Sequence, residues 1–497
     1  MRYSYLCILP IFGFLCYLNI SCCKKEPYHE SAQTGIKKPA HEKRFNILVP
    51  TFLGNEKRKY YGSGPVPENL SILWKLKIGG DSTLIGKKPK KWYGTGWTGQ
   101  PVLASENNKE YLIIGALDHK LRKIDAETGS VVWEYQFDDA IKGTPTLIET
   151  SDDILILQGS RMGFRKKLTD SIIPSFRAIS FATGKEIWRL NITKTRSYSR
   201  DVDGSAIIWK DKAIFGVENG LLYIIDPFTT KLEKGIIQPY IISTHSLFNK
   251  DDINKHGGNL VIESSPAILR DSLLFISAGS GHIYGIDLIK DSVVWDFYVG
   301  SDLNGTITIT KDDKLLCSLE KQYIKGKGGI LKIDPFKPTS KCVEWFFPTE
   351  DISEKDTLIE WKGGVIGSQA VNDYLSDSTK HLVAFNGIDG YLYVVSLNDT
   401  YGTCKDWNEK TVYPKPRLVF KKKIGPSIST PIFVDNYLIT QGYNGKLYVF
   451  SVDYETFTFK LLSSIYLGCI ESTPIVWKKK IFIGSRNGYL YCLGEKP

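Results

Sequence analysis

Arg200, Asp201 and Asp203 crowd one guanidinium and two carboxylates into four residues, and Trp92 and Trp97 bracket the glycine-rich stretch WYGTGW. Carboxylates beside a guanidinium suit a cation or a hydrogen-bonding small ligand, and indoles supply flat apolar faces to hold it. Glu263, Asn304, Trp361 and Glu471 occupy a matching place in the chain, as do Tyr93, Lys142 and Lys362. Each lies just before a small-residue turn that leads into an apolar run. These groups meet only if the runs are arranged about one axis. Catalytic and metal patterns are missing: the chain has 7 His and no HExxH, GxSxG or P-loop. The glycine-rich piece GKGG at Gly326 lies between β-runs with no helix to follow, so it reads as a hairpin turn. No catalytic residue and no metal set is assigned.

The positioning elements repeat. A small-residue turn into an apolar strand recurs eight times, with strands taken from Pro101, Pro145, Ala206, Pro266, Ile307, Ala370, Pro431 and Pro474. A glycine turn and an aromatic or aliphatic strand follow each, as in NGLLYIID at Asn219 and NGYLYCL at Asn487. Asn-Gly and Asp-Gly pairs supply the positive φ of tight hairpins. Complete units end in a fourth run carrying Trp, but the last unit stops after three. An orphan fourth run, LSILWKLKIGG from Leu70 to Gly80, precedes the first unit. Donated to the last unit, it closes a ring and leaves no sheet edge open. The expected fold is all-β: a single eight-bladed propeller of four-stranded blades over residues 70–497. Trp92, Trp97, Arg200, Asp201, Asp203, Glu263, Asn304, Trp361 and Glu471 then ring the channel mouth as a ligand site.

The segment DHKLRKIDAETGSVVW, Asp118 to Trp133, resembles the repeat of quinoprotein-type (PQQ-like) propellers: a strand ending in Asp, a Thr-Gly turn and a strand with Trp. The resemblance implies that this Trp docks one blade on the next. Trp133, Trp188, Trp295 and Trp345 hold the position within the chain, and Trp74 holds it through ring closure. The third, sixth and seventh units depart, with Leu232, Phe420 and a serine stretch near Ser463, so docking is expected to be softer there. The family includes dehydrogenases that use pyrroloquinoline quinone with calcium, under an adjacent cysteine pair. The adjacent pair here is Cys22-Cys23, outside the disc. The nearer resemblance is to acylated, non-enzymatic members, including the lipoprotein of the outer-membrane barrel assembly machinery. It implies no cofactor and envelope proteins as partners. Quinone and calcium belong to an enzymatic alternative. A second alternative is a carbohydrate- or peptide-binding module using Trp92 and Trp97.

Arg2 and an apolar stretch from Tyr5 to Ile20, too short to span a bilayer, read as an export signal. Ser21-Cys22 at its end resembles a bacterial lipoprotein processing site, with Asn19 departing from the usual Leu. Residues 1–21 are therefore expected as signal peptide, Cys22 as the acylated residue and 22–69 as a flexible tether. The 46 residues from 24 to 69 would reach about 35–40 Å as a coil. The expected location is the envelope, lipid-anchored at the periplasmic face of the outer membrane or the cell surface, as a monomeric disc. The net charge of +10 rests on loop clusters at Lys87, Lys421 and Lys478, which read as a solvated rim rather than a nucleic-acid surface. Cys317, Cys342, Cys404, Cys469 and Cys492 have no CxxC spacing. Cys492 lies inside a strand and is expected as a buried small hydrophobe.

Overall fold

The computed structural model describes residues 44–352, 361–375 and 380–496. The expected signal peptide, acylation site and first half of the tether lie outside the described residues. Eight four-stranded antiparallel sheets form the eight blades of a propeller, each running from an inner strand to an outer one. Blade one comprises Val102–Glu106, Lys109–Gly115, Lys120–Asp125 and Val131–Gln136. Middle strands such as Ile154–Gly159 are buried on both faces between neighbouring blades, which is why they read as unbroken apolar runs. Outer strands have one face in water and alternate, as in VVWEYQ.

The ring closes as expected. Strand Ser71–Lys77 is the outer strand of blade eight, with Trp74 opposite Cys492 and Lys77 opposite Tyr489. Cys492 is fully buried, and the five described cysteines are free thiols.

Interblade docking has one repeated geometry. Where Trp133, Trp188, Trp295, Trp345 and Trp74 stand, the outer strand carries a β-bulge, which re-aims the side chain toward the next blade. Trp133 donates its indole N–H to the carbonyl of Phe181, Trp188 to Pro227, Trp345 to Leu397 and Trp74 to Ala126. The Trp295 N–H is buried without a partner. Gly129 and Gly184 let the rings approach. A Cβ on either would lie 2.7 Å from the indole of Trp74 or Trp133.

The third unit differs from expectation. Its bulge falls at Ser243, opposite Ile224, rather than at Leu232. A long hairpin, Leu221–Glu233 with Ile236–Ser246, has pushed Leu232 out to its exposed end. Phe420 and Ser463 stand at the bulges of blades six and seven as expected. A second long hairpin, Tyr391–Lys405 with Val412–Lys423, lies along the outer strand of blade five. Its turn buries Trp407 against Phe297 and Phe346, where it donates to the carbonyl of Val299 at 2.8 Å.

The tether expected through residue 69 is contradicted from Arg44 onward. Strand Phe45–Val49 pairs with the inner strand of blade one, inside the channel, and Gly62–Ser63 runs parallel to the inner strand of blade eight. Between them the chain crosses the channel. Carbonyls of Pro50, Glu56, Lys57 and Tyr61 accept from Leu147, Ile268, Ile309 and Val476 in four different blades. Val49, Phe52, Leu53 and Tyr61 are buried. Arg58 is fully buried and donates to the carbonyls of Pro266 and Phe52 at 2.8 and 2.7 Å, and burial brings its pKa down to about 9. Lys59 reaches buried Asp373 at 2.6 Å. The apolar run NILVPTFL, set between polar neighbours, anchors this stretch. The chain from Arg44 onward is therefore part of the propeller.

Candidate ligand site at the channel mouth

The inner strands run away from the mouth, so the residues before them ring its opening. The chain of 44–63 fills the opposite end. A cavity of about 490 Å³ at the mouth is lined by Trp92, Asp139, Lys142, Arg161, Tyr198, Asp201, Glu218 and Glu263, among others. A second, of about 290 Å³, lies beside it against Trp92, Trp97, Trp361, Tyr443, Glu471 and Arg486.

The first is acidic. Carboxylate oxygens of Asp203, Glu218 and Glu263 lie within 4.8 Å of one another. The Lys142 ammonium sits among them, ion-paired with Asp203 and 3.4 and 3.8 Å from Glu218 and Glu263. Burial, reinforced by carboxylate neighbours, pushes Glu218 and Glu263 up to about 8 despite Lys142. Burial alone would lower Lys142, but the surrounding carboxylates hold it well above the usual lysine range. Asp201 belongs to a separate pair. It accepts from Arg161 Nε at 2.8 Å and from the Met162 amide at 2.9 Å. Arg161 also binds Thr83 and Leu84 of the hairpin Gly80–Ile85/Lys88–Tyr93, which carries the Lys87 cluster over the mouth.

The second half is aromatic and basic. Trp97 is 9% exposed and packs with Ile366, Ile388 and Ile428, so it is part of the wall rather than a free platform. Trp361 lies 6.5 Å from Tyr443, ring to ring. The Tyr443 hydroxyl donates to Glu471 at 2.9 Å, and Arg486 pairs with the same carboxylate at 3.2 Å. Burial raises the Glu471 pKa. Trp92 is half-buried between the two halves, with Arg161 5.4 Å and Arg486 6.0 Å from its ring. Asn304 lies on the acidic side and donates to Glu320 at 3.1 Å.

The structure thus gathers Trp92, Trp97, Asp201, Asp203, Glu263, Asn304, Trp361 and Glu471 around the mouth, as expected for inner-strand starts. Arg200 is not among them. Its buried guanidinium donates to the carbonyls of Ile192, Leu168 and Asp170, where it pins the insertion of blade two. Glu218, Tyr443 and Arg486 were not anticipated, yet each immediately precedes an Asn-Gly turn. The turns between middle strands also face the mouth, so that spacing was a usable signal.

Residues 71–295 match the family model described as outer membrane protein assembly factor BamB. The match begins in the strand that closes the ring and ends at Trp295. Among solved structures, BamB from Moraxella catarrhalis is similar at 12% identity with a TM-score of 0.53, over 86% of this chain and all of that one. A europium-containing methanol dehydrogenase aligns at 12% identity and 0.55, over 90% and 98%. The quinohemoprotein alcohol dehydrogenase from Comamonas testosteroni aligns at 12% and 0.54, over 90% and 81%. At this identity the likeness is one of fold. No curated protein sequence matches the chain.

Proposed function

We propose that this chain is a non-catalytic binding scaffold of a bacterial cell envelope. In this reading Cys22 is acylated and the residues between it and Arg44 tether the disc to a membrane. The propeller engages envelope proteins as a monomer, in the assembly of outer-membrane proteins. The family match over residues 71–295 supports the envelope setting. The observation that carries the non-catalytic reading is Lys142. Its ammonium occupies the centre of the one carboxylate triad at the mouth, among the described residues, whose spacing suits a metal ion. A divalent ion and a lysine ammonium repel each other at that separation.

The two dehydrogenase neighbours favour a second reading, a quinone- and calcium-dependent enzyme. The residues present fit that pair of groups poorly. Lys142 holds the ion's place, and the described cysteines form no disulfide. Crosslinking in intact cells, followed by mass spectrometry of the partners and of the Cys22 peptide, tests the scaffold. Recovery of a membrane-barrel complex and a lipid-modified Cys22 is expected. Failure to recover any envelope partner overturns it. Titration with pyrroloquinoline quinone and calcium, read by absorbance, separates the enzymatic reading: a cofactor spectrum unchanged by protein eliminates it.

A further inference from the structure

Carboxyl groups crowd the acidic half, and the Lys142 ammonium does not reach all of them. Lys142 has three N–H donors, and Asp203, Glu218 and Glu263 surround it. Arg161 is committed to Asp201. That leaves Asp302 and Glu320, 6% and 4% exposed, with no basic partner among the described residues. Asn259 donates to one oxygen of Asp302 at 2.8 Å, and Asn304 to one oxygen of Glu320 at 3.1 Å. The second oxygen of Asp302 and the side-chain oxygen of Asn304 are buried without a well-formed hydrogen bond, although the Leu303 amide and the Asn304 side chain lie near enough to Asp302 to favour its charged form. Buried acceptors left unpaired cost about 1–3 kcal/mol each, so natural sites pair them with protein, water or ligand. Tyr198, which lines the cavity, reaches the side-chain oxygen of Asn259 at 3.5 Å, and Asn259 holds Asp302, while Glu263 of the same lining acts electrostatically on Glu320 together with Asp302.

We propose that Glu263, Asp302, Glu320 and Asn304 form a binding site for an alkylammonium group that enters through the mouth of the channel. An ammonium supplies donors for the two buried acceptors left unpaired and one more for the carboxyl of Glu320 or Glu263. Lys142 is its template, since an alkylammonium already lies 3.8 Å from Glu263. The approach is aromatic: Tyr198, 59% exposed at the rim, and Trp92 both line the cavity. Such walls favour an organic cation, which keeps its alkyl chain against rings, over a strongly hydrated metal ion. Burial holds Asp302 at about 6 and drives Glu320 well above the usual carboxylate range, so occupancy by a cation releases protons. The site deepens the scaffold reading by giving its mouth a ligand chemistry, but it does not depend on recovery of a protein partner.

The ammonium could belong to a free polyamine or to a lysine side chain of a partner. Calorimetric titration of the full chain with spermidine and, separately, with a capped Gly-Lys-Gly peptide distinguishes them, with calcium chloride as a third arm. Saturable binding of one amine is expected, at least tenfold tighter at pH 8.5 than at pH 6, with proton release that scales with buffer ionisation. Preference for spermidine assigns a free polyamine; preference for the peptide assigns a partner's lysine. D302N and E320Q are each expected to weaken binding at least tenfold. Both keep side-chain volume while removing like-charge repulsion, so their melting temperatures should equal or exceed that of the parent. No saturable amine binding, binding of calcium alone, or amine binding unchanged in both variants overturns the proposal. None of these outcomes bears on whether an envelope partner is recovered by crosslinking.

Discussion

Raising the pH from 5.5 to 7.5 should destabilise this propeller, against the usual trend for a protein rich in paired surface carboxylates. Glu218 and Glu263 have ordinary pKa values of 4.5 and are pushed to about 8 in the fold. Between those values the folded chain keeps protons that the unfolded chain has lost. The native state then binds more protons, so unfolding free energy falls with pH, by about 1.4 kcal/mol per unit for each group. Across two pH units one retained proton costs about 2.7 kcal/mol, and two independent protons about 5 kcal/mol. Carboxylates held low by ion pairs, such as Glu106, Asp125 and Glu186, finish titrating below this window and add a flat term. His256, shifted down, and His282, shifted up, act in opposite directions within it. Urea denaturation followed by tryptophan fluorescence at half-unit pH steps measures the slope. In the E218Q/E263Q double variant the slope should become much shallower, leaving the part due to Asp302, Glu320 and Glu471, with stability at pH 7.5 at or above that of the parent. Parent stability that is flat or rising from pH 5.5 to 7.5, or a slope undiminished in the double variant, refutes the account of the acidic half.

Arg58→Met removes the donor to the Pro266 and Phe52 carbonyls and should cost about 2–5 kcal/mol. Limited proteolysis should then cut within residues 44–66, which are protected in the parent. Trp188→Ala deletes a ring that is 1% exposed and should cost about 3–5 kcal/mol. Trp295→Ala, whose indole N–H has no partner to lose, should cost less in the same denaturation assay. Trp407→Ala should release the long hairpin of blade six. Hydrogen exchange in residues 398–412 should rise well before the blades open, because that segment loses its buried anchor without losing ladder bonds.

Much of the architecture was legible because propeller blades are local. Each is one supersecondary unit, so the strand-turn-strand rhythm and the Trp after each Thr-Gly turn report directly on structure. Ring closure was legible for the same reason, as one strand too few at the end and one too many before the start. The Trp position in blade three was not. An insertion between two paired strands lengthens both, and only the register shows that Ser243 rather than Leu232 follows the bulge. Residues 44–63 were hidden because burial in the channel depends on the eight inner strands that surround them, none of which is nearby in sequence.

The site divides along the same line. The linear order of residues decided which side chains begin the inner strands, and with that placed Asp203, Glu263, Asn304, Trp361 and Glu471 at one opening. Tertiary packing decided their states. Lys142 among three carboxylates, Trp97 turned into the wall and Arg200 spent on backbone carbonyls are outcomes of distance and desolvation. Charge interactions across blades separate residues by tens of positions in sequence and a few ångströms in space, so only the closed ring brings them together.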